Sequence, residues 1–298
     1  MTAQRLFKTV ADETRLRLLS LLAYRELNVQ ELESVLQMAQ SRISHHLKLM
    51  SEAGLLACRR DGLWSFYRIA EEGPGRRFLE SVHYLLEKEA RLQADRELAE
   101  RVLQEGRRRT RRFFDALAGH WESLRSTILG ELDLAAKIEA LLPDCATATD
   151  LGCGNGALLG MLGRKARSVI GVDSSRRMLE EARRRAQAQG VAADLRIGEL
   201  EHLPLRDGEA DCAVINLVLH HLPVPLQALV ETRRALTAAG TLVVADFRRH
   251  GVEQLRGRYG DRWLGFEPQE LESWLAQAGF GVLQRREFPV RLGLTVLL

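Results

Sequence analysis

The 298-residue chain is poor in cysteine, poor in lysine and without any long apolar run. Its four cysteines, Cys58, Cys145, Cys153 and Cys212, lie far apart with no Cys-x-x-Cys pair, which excludes a disulfide framework and a cysteine-rich zinc module. No stretch approaches the roughly 18 apolar residues of a membrane-spanning helix. The opening MTAQRLFKTVADETR lacks the apolar block of a signal peptide, so a cytoplasmic protein is expected. Seven prolines and 24 glycines, without repeat or low-complexity tract, exclude collagen-like and disordered chains. What is present is 46% hydrophobic and 28% charged sequence, enough for two domains with real cores.

Only five of the 43 basic residues are lysine, an arginine excess that by itself does not choose a partner. Residues 1–112 hold 21 Lys+Arg against 16 Asp+Glu, and residues 113–298 hold 22 against 24. The Gly73-Pro74-Gly75 turn and the cluster Arg107, Arg108, Arg109, Arg111 and Arg112 divide the chain into segments 1–75, 76–112 and 113–298. Between them, Phe78, Val82, Leu85, Leu92, Ala99 and Leu103 follow a 3/4 spacing interrupted by Glu89 and Arg96, which predicts one amphipathic helix over Arg76–Glu105. Its stripe must bury against a second copy of itself or against its own domain.

In the first segment, residues 5–22 predict a helix interrupted near Ala11–Asp12, Asn28 caps a helix over Val29–Leu36, and Ser41–Ala53 forms another that Gly54 stops. Ile43, Leu47 and Met50 share one face of the last, leaving Ser41, Arg42, Ser44, His45 and Lys48 outward. Such a face suits the major groove, where arginine engages guanine and lysine meets phosphate. LLACRR-DG-LWSFYRI then reads as a hairpin around Asp61-Gly62, a wing with Arg59, Arg60 and Arg68 on its arms.

The succession ADETRLRLLSLL, NVQELESVLQMAQSRISHHLKLMSEAGLL and wing resembles the winged-helix repressors of the ArsR/SmtB family over roughly residues 1–90. The resemblance implies a homodimer on a two-fold DNA operator, with Ser41–Met50 as recognition helix. Many members sense metals through a Cys-x-Cys before that helix, where this chain has Asn28 and Gln30. Other members use a set on the dimer helix, and here only His83 with Glu80 and Glu87 is available. No metal site is expected.

From about Ala146, the strand-like runs Thr147–Leu151, Ser168–Val172, Ala210–Asn216 and Thr241–Asp246 alternate with helical stretches, the pattern of parallel βαβ units. Residues 113–145 are expected to be helices leading into this domain. Thr149-Asp150-Leu151-Gly152-Cys153-Gly154-Asn155-Gly156-Ala157-Leu158 follows the first strand and opens a helix, and Asp173 ends the next strand 21 residues after Gly152. Glycines let the loop approach a ligand, and that acid reaches both hydroxyls of a ribose. Gly152-x-Gly154-x-x-Ala157 also fits a dinucleotide fingerprint, but Asp150 puts a carboxylate where an ammonium belongs and a pyrophosphate does not.

With IGELEHLPLRDGEADCAVINLVLHHL and LTAAGTLVVADF in order, residues 146–280 resemble the class I S-adenosylmethionine-dependent methyltransferases, a Rossmann-like α/β fold with a mostly parallel seven-stranded sheet. The resemblance implies that Asp150 and the backbone of Gly152, Cys153 and Gly154 hold the methionine moiety, and Asp173 the ribose. It places Ser174 and Met178 beside the adenine, Glu199 and the Leu200 amide at its edge, and Asn216 near the methyl group. The acid at 199 is Glu where the family commonly has Asp. FFDALAGHWESLR resembles the family's leading helix, with Trp121 or Arg125 able to cover the ligand or simply to pack.

For catalysis the candidate bases are His220 and His221, then Asp246 and His250; the pair Leu219-His220-His221-Leu222 names no reaction. Tyr259, Trp263 and Phe266 are either aromatic walls of a substrate opening or core. No further domain is expected after Leu298. Two readings stand. One is a DNA-binding transcriptional regulator whose second domain takes S-adenosylmethionine or S-adenosylhomocysteine as effector; such fusions resemble repressors of the methionine cycle, which implies control from the homocysteine side. The other is an active small-molecule methyltransferase that regulates its own operon. A DNA methyltransferase is disfavoured, because Asn216-Leu-Val-Leu is not the Asn-Pro-Pro-aromatic pattern.

Overall fold

The computed structural model describes residues 3–298, apart from the side chains at positions 3, 120, 121, 123–125, 258 and 259. The chain divides into two compact units, Met1–Arg108 and Arg109–Leu298. Among the described residues no helix is long and apolar enough to cross a membrane.

In the first unit, α1 (Ala3–Val10) and α2 (Glu13–Tyr24) are separated because Asp12 leaves the helix and its carboxylate accepts from the Arg15 amide at 3.0 Å. β1 (Leu27–Asn28) leads into α3 (Val29–Leu36) through a capping box, in which Asn28 and Glu31 each accept from the other's amide at 2.9 Å. α4 (Gln40–Glu52) presents Ile43, Leu47 and Met50 to the core at 0% exposure, and Gly54 ends it at φ +61°. Each such buried side chain contributes roughly 2 kcal/mol. β2 (Leu56–Asp61) and β3 (Trp64–Ile69) pair antiparallel around Gly62, with β1 added beside β3. This is a winged helix-turn-helix.

The single helix expected over Arg76–Glu105 is two, α5 (Gly73–Lys88) and α6 (Ala90–Leu117), with Glu89 extended between them. A helix end leaves carbonyls without partners, and here Arg96 donates to the carbonyls of Leu86 and Glu87 at 3.2 Å and to Ser20 Oγ at 2.8 Å. The return buries Leu92, Ala99 and Leu103 in the unit's own core and sets Asp95 against Arg17 in a bidentate pair at 2.6 and 2.7 Å. That half of the stripe is satisfied within the chain. On α5, Tyr84 and Leu85 stay more than half exposed. The arginine cluster does not close the helix, which continues to Leu117.

The second unit begins with the last two turns of α6, then α7 (Trp121–Leu129) and α8 (Leu134–Glu139). There follow β4 (Cys145–Leu151), α9 (Leu159–Lys165), β5 (Ala166–Asp173), α10 (Arg176–Ala188), β6 (Ala193–Ile197) and β7 (Ala210–Asn216). The chain closes with α11 (Pro225–Ala235), β8 (Leu236–Phe247), α12 (Gln254–Tyr259), α13 (Pro268–Gln277), β9 (Glu287–Pro289) and β10 (Thr295–Leu297). The described strands form one seven-stranded sheet in the order β6-β5-β4-β7-β8-β10-β9. The first five run parallel and β10 lies antiparallel to both its neighbours. The order reverses beside β4, so the loops after β4, β5 and β7 open together at the carboxyl edge, where a ligand crevice forms in such sheets.

Candidate functional site

On the first unit, Ser41, Arg42, Ser44, His45 and Lys48 are all exposed along α4, opposite the buried face. In the wing, strand alternation separates the neighbours Arg59 and Arg60. Arg60 and Arg68 are exposed, Arg68 pairing with Glu71, whereas Arg59 turns inward. Its guanidinium binds both oxygens of Glu26 at 2.8 and 3.2 Å, reaches Asp61 at 3.2 Å and lies 4.4 Å from the centre of the Phe66 ring. Arg59 is therefore a brace between wing and body, not a free cation for phosphate. His83 pairs with Glu87 at 3.1 Å and Glu80 with Arg76 at 2.9 Å, so those three side chains do not converge on one point.

On the second unit, Gly152 takes φ +79°, and a Cβ there would stand 2.5 Å from Val218. The amides of Gly152 and Cys153 both donate to the Val172 carbonyl, at 2.8 and 2.9 Å, and the Gly154 amide donates to Asp173 at 2.9 Å. A pyrophosphate needs amides aimed outward, and these three are spent inside the fold. An ammonium needs acceptors instead. Asp150 is 2% exposed, and the Asn216 side-chain oxygen is buried without a hydrogen-bond partner. Burial, reinforced by the charges of Asp150 and Asp173, pushes the Cys153 thiol well up, so both acids converge on the loop and the thiol stays protonated.

Asp173 ends β5 with one oxygen on the Gly154 amide and the other on the Ser175 amide at 2.8 Å. Burial raises its carboxyl above the ordinary range, and those amides oppose the shift. A carboxylate has about four lone-pair sites, so the backbone amides do not exhaust its capacity to accept from a hydroxyl. Ser174 is half-buried; Met178 and Leu200 are 1% and 4% exposed. The acids Asp150 and Asp173, the Asn216 oxygen and the apolar Met178 and Leu200 are the kinds of group that an S-adenosyl ligand requires.

The end of α6 makes three contacts that local sequence patterns do not announce. Arg111 binds Glu199 at 2.7 Å, Ser175 Oγ donates to Asp115 at 2.5 Å, and the Phe114 ring stands edge-on to His221 at 4.9 Å. Glu199, expected to accept from an adenine amino group, is held by an arginine. The helix thus crosses the carboxyl ends of β5, β6 and β7. Trp121 and Arg125, and likewise Tyr259, lie outside the described side chains. Trp263 and Phe266 are 4% and 0% exposed and pack with Trp274, while Trp263 Nε1 donates to the Leu222 carbonyl at 2.8 Å. They are core, because their rings are needed to fill the space under α13.

His220 and His221 occupy a single 3-10 turn after β7. Asp246 Oδ1 lies 2.6 Å from His220 Nδ1 and accepts from the Phe247 amide at 2.7 Å. Burial opposes a charge on His220, but Asp246 and Asp261 override it and lift the ring to about 9. Burial and the neighbouring His220 charge hold His221 well below its ordinary range. Asp261, which sequence reasoning missed, is raised by burial to about 6 against the pull of His220. His250 turns away, its Nδ1 accepting from the Val252 amide at 3.2 Å.

Residues 12–57 match the bacterial regulatory protein family arsR, and residues 149–244 the methyltransferase domain family. The arsenic resistance transcriptional regulator of Pseudomonas putida is 44% identical over 75 residues, 25% of this chain and 59% of that one. The 2-phytyl-1,4-naphtoquinone methyltransferase of Trichormus variabilis is 32% identical over 156 residues, 49% of this chain and 68% of that one. An S-adenosylmethionine-dependent methyltransferase from Thermotoga maritima shares the fold, with a TM-score of 0.51 at 24% identity over 63% of this chain and 97% of that one. Another curated relative is matched over only 46% of its length. The chain belongs to the arsR family of bacterial regulators through its N-terminal unit and to the class I S-adenosylmethionine-dependent methyltransferases through its C-terminal unit.

Proposed function

We propose that the protein is a transcriptional regulator, dimeric on DNA, whose operator affinity is set by S-adenosylmethionine or S-adenosylhomocysteine in the methyltransferase domain. The observation that carries this reading is α6. One continuous helix holds Asp95 against Arg17 in the DNA-binding unit and, just past the unit boundary, holds Arg111 on Glu199 at the adenosyl crevice. A ligand whose adenine amino group takes Glu199 releases Arg111, and the helix that bears Arg111 also carries part of the core of the DNA-binding unit. The exposed Tyr84 and Leu85 of α5 supply an apolar surface for the second copy.

The two ligands differ by one methyl group and one positive charge, so a crevice that crowds the methyl or offers the sulfonium no counter-charge prefers the product. Coupling requires only a differential affinity: a 100-fold preference for one state amounts to about 2.7 kcal/mol. A second reading, an active small-molecule methyltransferase that regulates its own operon, is favoured by the buried His221 ring, whose Nδ1 has no hydrogen-bond partner.

Fluorescence anisotropy of the full-length protein on its own upstream DNA, without ligand and with each S-adenosyl compound, separates the two. The regulator reading expects a large shift with one ligand, lost in Asp173→Ala together with calorimetric ligand binding. Ligand-induced release that persists in a non-binding Asp173→Ala protein sinks the mechanism, and calorimetric binding with no anisotropy shift favours the enzyme.

A further inference from the structure

The buried cluster at the ends of β7 and β8 has more ligating atoms than protein partners for them. His220 Nε2 lies 3.7 Å from Asp261 Oδ1, and His221 Nδ1 lies 3.7 Å from the same oxygen. Three candidate donor atoms, one each from His220, His221 and Asp261, stand within 4.8 Å of one another. Among the described residues neither His221 Nδ1 nor Asp261 Oδ1 has a hydrogen-bond partner, although the three side chains are only 3% to 8% exposed. Buried polar atoms are almost always hydrogen-bonded, and 3.7 Å is too long for such a bond. It is close to the separation of two ligands on one ion: with metal–ligand distances near 2.1 Å in a tetrahedron, neighbouring ligand atoms stand about 3.4 Å apart.

We propose that His220, His221 and Asp261 form a binding site for a divalent transition-metal ion, zinc fitting best, with one coordination position left open. Two imidazoles and a carboxylate without a thiolate suit zinc and its first-row neighbours and are a poor set for calcium or magnesium. The surroundings are built for it. Asp246 stands 2.6 Å from His220 Nδ1, fixing the ring so that Nε2 turns a lone pair to Asp261, the carboxylate–histidine support usual behind a metal ligand. His221 Nδ1 has no hydrogen-bond partner among the described residues, so its lone pair is available to the ion. The amides of Arg262 and Trp263 both donate to the His220 carbonyl at 2.9 Å, which anchors Asp261 opposite the histidine pair. Once the ion displaces the proton that His220 carries in its absence, the two neutral rings and the buried carboxylates Asp246 and Asp261 amount to two negative charges, which a divalent cation neutralises.

Three protein ligands leave a fourth position for water or for an anionic oxygen of a bound molecule. The site holds whether the S-adenosyl ligand is effector or cosubstrate, and it runs against the expectation, from the sequence, of no metal. It is also separate from His83 on α5, whose neighbours are surface partners.

The test uses full-length protein stripped by chelator dialysis and titrated with Co2+, read by visible absorption, and with Zn2+, read by competition with a chromogenic chelator. Binding of about one equivalent per chain is expected. His221→Ala and Asp261→Asn should each weaken it more than tenfold, and Asp246→Asn by about 10-fold to 100-fold. His83→Ala should leave it unchanged. Far-UV circular dichroism establishes that each variant is folded, and His221→Gln replaces any variant that is not. Failure of the folded wild type to take up a stoichiometric ion, or uptake that survives both His221→Ala and Asp261→Asn, overturns the proposal.

Discussion

The two units bury charge differently. Among the described residues of the DNA-binding unit each buried carboxylate has an arginine on it: Asp95 faces Arg17 at 2.6 Å and Asp61 faces Arg59 at 3.2 Å. In the methyltransferase unit, Asp261 Oδ1 faces imidazole nitrogens at 3.7 Å, and the Asn216 oxygen and His221 Nδ1 are buried with no hydrogen-bond partner. The first pattern is that of a scaffold that pairs each buried acid within the fold, although His46 Nδ1 and Ser51 Oγ are buried without a hydrogen-bond partner among the described residues, and leaves the polar face of α4 outside. In the second, the unsatisfied atoms gather at the crevice and beside it. A buried polar group left unsatisfied costs about 1–3 kcal/mol, so a ligand that satisfies Asn216, His221 or Asp261 should stabilise the second unit.

The sharpest way to break this contrast is to unpair a charge in the scaffold. Arg17→Ala strands Asp95, with their side chains 15% and 8% exposed, and should cost about 3 kcal/mol in chemical denaturation. Adding Asp95→Leu should recover much of that stability; no recovery would mean that the effect came from packing of the arginine stem rather than from charge.

The wing offers the next test, because strand alternation assigns its arginines opposite roles. Arg60→Ala and Lys48→Ala should each flatten the dependence of log K on log salt by about 0.9 for every phosphate that is no longer neutralised. Arg59→Ala should leave that slope alone and lower stability by about 2 kcal/mol, since it removes the brace to Glu26 and Asp61. Equal slopes for Arg59→Ala and Arg60→Ala would erase the distinction.

Within the second unit, Arg111 and Glu199 are about a third exposed, and such a pair is worth no more than about 1 kcal/mol. Arg111→Ala removes that ion pair from Glu199 and should tighten S-adenosylhomocysteine by up to about fivefold in calorimetry. Weaker binding would place the arginine on the ligand instead. The smallest effect is expected far from the crevice, where bidentate hydrogen bonds from Arg196 hold Glu209 at about 2 against an ordinary value of 4.5. A depressed acid stabilises the fold fully above its unfolded value and loses that contribution as pH falls through the folded one. Glu209→Gln should therefore flatten the fall in Tm between pH 4.5 and 2, while leaving neutral-pH ligand binding unchanged.

Much of the fold was legible because its signals are local. The helix interruption near Ala11–Asp12, the Asn28 cap, the Asp61-Gly62 hairpin and the Ile43, Leu47, Met50 face each depend on residues a few positions apart, and all stand in the structure. The helix break at Glu89 was not legible: Glu89 interrupts the apolar spacing, but no Gly or Pro marks an end there. Arg96, seven residues later, settles the matter by reaching back to Ser20 and the end of α5. The adenosyl site was half legible: glycine loop and Asp173 are a strand and a helix apart, whereas Arg111 lies 88 residues from Glu199.

Sequence by itself determined the two families, the exposed polar face of α4 and the acids of the crevice, because periodicity and turn chemistry act within a few residues of chain. Tertiary structure alone decided which wing arginine turns inward, that Leu85 of the 76–105 stripe stays exposed while its other members pack, and that Asp261 meets His220 and His221. Those outcomes depend on distances between residues far apart in the chain, and a distance of that kind exists only once the sheet has brought its carboxyl edge together.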